Sequence, residues 1–67
     1  MTKIDAMRAY HAADEAWGAA LYARFGHNAG DARYRPIGRG EEGSELRRLY
    51  LARDAARIDW EKLAFGV

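Results

Sequence analysis

Apolar residues recur at helical spacing in two separate segments of this chain, and in the second segment they occupy two opposed faces. With about 3.6 residues per turn, Leu49, Ala52, Ala56, Trp60 and Leu63 fall on one side of a helix, while Leu51, Ala55, Ile58 and Phe65 fall on nearly the opposite side. One neighbouring helix cannot cover both. The first segment places Met7, Tyr10, Trp17, Leu21 and Phe25 on one stripe, with Ala9, Ala13, Ala16, Ala20 and Ala23 on the adjoining one. Its apolar arc therefore exceeds half of the circumference. A chain with so much apolar helical surface must fold back on itself and also find further cover.

The ends of the two helices are marked by residue chemistry. Thr2 is a candidate N-cap with Asp5 three residues on, and Gly26 is a stop that can enter the left-handed region, which predicts a first helix over about 3–25. Ser44 as N-cap, Glu45 in the first turn and Gly66 as stop predict a second over about 45–65. Each would be ~30 Å long. The expected fold is all-α, a single domain made of a two-helix antiparallel hairpin with a long connecting loop over 26–43, dimerising into a four-helix bundle. Trp17, Leu51, Ile58 and Trp60 are the candidate dimer-interface residues. Aligning the segments with an offset of 40 also matches seven of nineteen positions, among them Tyr10 with Tyr50 and Asp14 with Asp54. The echo supports two similar helices, and two units are too few for a solenoid.

Size argues for the same additional cover. At 67 residues a single core supplies only ~3–5 kcal/mol unless a disulfide, a metal or an oligomer adds to it. Cysteine is absent, which excludes disulfides and thiolate zinc sites and leaves oligomerisation. A net charge of +1 with 31% charged residues gives no strong field for steering toward nucleic acid or an anionic membrane. The longest apolar runs fall far short of the ~18 residues of a membrane span, and "MTKIDAMRAY" lacks the apolar core of a signal peptide. The expected compartment is the cytoplasm.

Antiparallel helices need only ~2–8 connecting residues, so the segment 26–43 is longer than chain reversal requires. Its run "RYRPIGRG" sets Tyr34 and Ile37 among Arg33, Arg35 and Arg39, and these five are the candidate partner-binding residues. Tyrosine and arginine are enriched at the energetic centres of protein interfaces. The same arginines could instead follow phosphates, with Tyr34 as a stacking platform, but Asp31, Glu41, Glu42 and Glu45 lie among them and nearly cancel the charge. Nucleic acid is therefore the secondary expectation. A third role is structural, with Tyr34, Pro36 and Ile37 folded back over the helices as a lid.

Asp14 lies within the arc of Met7, Tyr10, Trp17 and Leu21, where an unpaired carboxylate would be costly to bury. Arg53 and Arg57 are its candidate partners, and the edge of a partner-binding surface is the alternative. "HAADE" sets His11, Asp14 and Glu15 on one helical face, yet a metal site would have to recruit His27 and Asp31 as well, so no metal is expected. No cofactor and no catalysis are expected either. A GxxxxGK phosphate loop is missing, and the lone serine, Ser44, is explained by its place at a helix start. The 3–4-residue turn and third helix of a helix-turn-helix are missing too.

The elements FG at 25–26, "AGDARY" at 29–34 and "GSELRRLY" at 43–50, set between two Ala-rich helices, resemble small proteins encoded by phages and prophages of high-GC proteobacteria. In size and helical make-up the chain is also similar to the phage-encoded quorum-sensing anti-activators, small helical dimers that bind a bacterial transcription activator and block its DNA binding. That resemblance implies a class of function and assigns no residues. The expected function is thus a small dimeric protein that binds and inhibits a host protein, with a transcription activator as the implied target. The alternative is a nucleic-acid-associated protein using the arginines of the connection on phosphates.

Overall fold

In the computed structural model, which describes residues 2–66, the chain is all-helical, with no strand among those residues. Two long helices dominate, α1 over Lys3–Phe25 and α3 over Glu45–Phe65. The hydroxyl of Thr2 accepts the backbone N–H of Asp5 at 3.1 Å, and that of Ser44 accepts the N–H of Arg47 at 3.0 Å. Each bond satisfies one of the N–H groups that a helix start leaves without a partner. Gly66 ends α3 in the left-handed conformation.

The connection departs from the sequence expectation. Residues 26–43 do not form an open loop but three short helical pieces: a 3₁₀ turn over Gly26–Asn28, the one-turn helix α2 over Ala29–Ala32, and a second 3₁₀ turn over Pro36–Arg39. Composition suggested a loop because glycine and arginine carry no apolar period. The segment folds because Ala32 is buried against Trp17 and Leu21 of α1, while Gly38 lies so close to the carbonyl of Ala32 that no larger side chain fits there.

Contacts between α1 and α3 set the register. Asp14 meets Arg53 and Trp17 meets Tyr50, so three steps along α1 correspond to three steps back along α3, and the helices run in opposite directions. The buried apolar residues are few among those described: Ala6, Trp17, Leu21 and Ala32. Trp17, Leu21 and Ala32 form the central cluster, with Phe25, Ala29, Leu46, Leu49 and Tyr50 packed around it. Everything well buried except Ala6 lies toward the end that the connection covers. Ile4, Leu51, Leu63 and Phe65 are exposed, and among the described residues no helix is long and apolar enough to cross a membrane.

Candidate recognition surface

Trp17 organises the surface around the connection. Its indole Nε1 donates to the carbonyl of Gly38 at 2.9 Å, a buried bond that ties the second 3₁₀ turn to the middle of α1. Gly38 makes this approach feasible, since a Cβ there would lie 2.1 Å from the carbonyl oxygen of Ala32. Gly40, at φ +77°, then turns the chain toward α3 so closely that a Cβ would stand 2.4 Å from the backbone nitrogen of Arg47. Trp17 is 2% exposed, which corrects the expectation that it lies at a dimer interface. This chain's own connection covers it.

Asp14 is paired, and by a residue the sequence reading had assigned elsewhere. Its Oδ1 accepts from Arg33 Nη2 and from Arg53 Nε, the latter at 3.1 Å, while Arg53 Nη2 reaches the hydroxyl of Tyr10 at 3.2 Å. Two cations on one partly buried carboxylate satisfy the requirement that its position imposes. Arg53 was a candidate for this role. Arg57 is not part of the pair, because Asp54 and Glu61 on its own helix hold its guanidinium at 2.8 Å each and raise its pKa further. Arg33, expected to face a partner, instead places its guanidinium 4.8 Å from the centre of the Trp17 ring, and Arg53 stands 5.3 Å from it. Both gain a cation–π contact at the edge of the core.

The remaining residues of the connection face outward. Tyr34 is 86% exposed and Ile37 60%, and Pro36 is exposed as well, so the lid is formed by Ala32 and Gly38 and not by these three. Arg35 pairs with Asp31 at 2.8 Å on the surface. Arg39 lies 5.8 Å from the ring centre of Tyr50 and takes part in no ion pair among the described residues.

Two depressions border this segment. An open apolar groove of about 790 Å³ runs between Ala20, Ala23 and Phe25 of α1, Leu46 of α3, and Pro36 and Ile37 of the connection. A smaller one of about 270 Å³ is walled by Trp17, Arg33, Tyr34, Arg39, Tyr50 and Arg53. Tyr50, one of its walls, was not among the sequence candidates. Its signal was present, since pairing Asp14 with Arg53 in an antiparallel register sets Trp17 opposite Tyr50.

The other candidates are dispersed. Leu51 and Ile58 are exposed on the side of α3 away from Trp17, and Trp60 is half-buried within the chain between Tyr10 and Phe65. His11, Glu15, His27 and Asp31 are exposed, and no group of three or more metal-ligating side chains lies among the described residues. Compared with family models, curated proteins and solved structures, the chain matches none.

Proposed function

We propose that the chain is a small, non-enzymatic binding protein that engages a host protein through the outer edge of the connection over 31–39 and blocks a surface the host needs. The observation that supports this reading most is the contrast within five residues: Gly38 is locked to Trp17 while Tyr34 and Ile37 stand in solvent. A segment already ordered by its own fold loses little further freedom on binding, and an exposed tyrosine beside arginine is the usual make-up of an interface anchor. Tyr34, Arg35, Ile37 and Arg39 are the contact residues, and Arg33 positions them from its place on Asp14. The resemblance to the phage anti-activators makes a transcription activator the target, held off its DNA in the bacterial cytoplasm. Affinity capture from host lysate with the wild type and with Tyr34→Ala tests this. A transcription activator retained by the first and lost by the second supports it, provided both proteins melt alike. Equal retention by both would overturn it.

The same proposal includes a homodimer built on the exposed face of α3. Leu51, Ala55 and Ile58 form one stripe that is exposed among the described residues, and a second copy folded around it gives a four-helix bundle. Sedimentation equilibrium at micromolar concentration should return twice the 7.6 kDa chain mass, and Ile58→Glu should return it to one.

A further inference from the structure

The smaller depression has a charge and a size that together describe its occupant. Arg33, Arg39 and Arg53 line it, and Arg47 reaches the same Tyr50 ring from 5.7 Å. Among the described residues the one carboxylate paired with any of them is that of Asp14, which holds Arg33 and Arg53. A guanidinium carries five N–H donors, and Arg33 and Arg53 together donate three hydrogen bonds among the described residues. Donors and positive charge both remain in excess. Cofactor and drug-sized ligands occupy pockets of ~300–1,000 Å³, so a space of about 270 Å³ suits one side chain better than a nucleotide.

We propose that this depression receives the carboxylate of a glutamate or aspartate side chain from the protein partner, so that the partner's contact segment is acidic. This rests on the protein-binding reading above and adds the chemistry of the partner to it. Arginine's planar fork matches a carboxylate with two parallel hydrogen bonds, and the rings of Trp17 and Tyr50 exclude water from one side of the contact. Of the three arginines that line it, Arg39 is the one in no ion pair among the described residues, since Arg33 and Arg53 already hold Asp14. An extended polyanion fits less well, because Glu41 and Glu42 are exposed at the end of the connection and repel it. A single carboxylate meets only the local excess of positive charge.

The probes are the capped peptides acetyl-Ala-Glu-Glu-Ala-amide and its glutamine counterpart, titrated into the full chain and followed by the NMR signals of the Trp17 indole and the arginine Nε groups. The glutamate peptide should give a saturable shift in the millimolar range and the glutamine peptide none. Arg39→Gln should weaken the effect about tenfold, and Arg39→Lys, which keeps the charge and loses the fork, should fall between. The proposal is overturned if the glutamate peptide fails to saturate, if glutamine serves equally, or if Arg39→Gln changes nothing. It is equally overturned if a phosphoserine peptide or a short DNA duplex at ~150 mM salt shifts the same signals at far lower concentration. The two levels separate cleanly: a target captured in a Tyr34-dependent way with no response to the glutamate peptide removes only the acidic segment, whereas equal capture by wild type and Tyr34→Ala removes the reading beneath it.

Discussion

At one end of the helix pair Tyr50 lies 5.4 Å from Trp17, and at the other Tyr10 lies 6.0 Å from Trp60, so each long helix offers a tyrosine to the other's tryptophan. The first pair is sealed. The connection crosses it, the indole N–H has a carbonyl partner, and two arginines close on the ring. The second pair has Phe65 at the edge of Trp60 and Arg53 beside Tyr10, with Ile4, Met7 and Leu63 exposed nearby in sequence. A tyrosine–tryptophan contact between two helices therefore does not make a core. A third layer does, and here 18 residues rich in glycine and arginine supply it at one end only. The covered end sets a cluster of arginines beside an open apolar groove, whereas the stripe on α3 remains apolar.

The comparison is broken or sharpened first by truncating the two tryptophans. Trp17→Ala should cost ~3–5 kcal/mol, enough to leave so small a domain largely unfolded. Trp60→Ala should cost less than half as much in the isolated chain, because its surroundings are already wet. Thermal and urea denaturation at a concentration that favours the monomer would read both, and equal losses would remove the distinction between the ends.

The next effect belongs to Asp14. Asp14→Ala strands two partly buried guanidinium groups, so a loss of ~1–3 kcal/mol is expected, whereas Asp54→Ala leaves the half-buried Arg57 still paired with Glu61 and should change stability by ~0.5 kcal/mol or less. The same denaturation curves decide it. The smallest effect is at the start of α3. There the hydrogen bond and charge of Arg48 hold the carboxyl of Glu45 below its ordinary value of 4.5. Because the folded pKa is the lower one, the contribution is fully present above the unfolded pKa and is lost as pH falls through the folded value. Helicity measured between pH 7 and pH 3 should therefore show a small acid-side loss that Glu45→Gln abolishes.

Much of the scaffold was legible from residue chemistry, because it is local. Helix boundaries follow from Thr2, Ser44 and the two glycine stops, and each capping bond spans three residues. The need for a cation beside Asp14 was legible as well, from its place within an apolar arc, and Arg53 was among the candidates. Arg33 as the second cation was not. Its distance along the helix period is undefined once the chain leaves α1, and only the path of the connection brings it back.

The residues on the outer edge illustrate the same limit from the other side. Composition left Tyr34 and Ile37 equally able to cover the helices or to face solvent, since both are large and partly apolar. What decides between those roles is steric: Gly38 lies so close to the backbone of Ala32 that no side chain fits there, and the carbonyl of Gly38 takes the Trp17 indole N–H. The sequence by itself determined two amphipathic helices with more apolar surface than one partner helix can cover, because helical period and capping depend on neighbours within a few residues. Only the tertiary structure decided which tryptophan that excess leaves sealed, which arginines are tied to Asp14 and which face outward, because those outcomes depend on how closely two backbones approach.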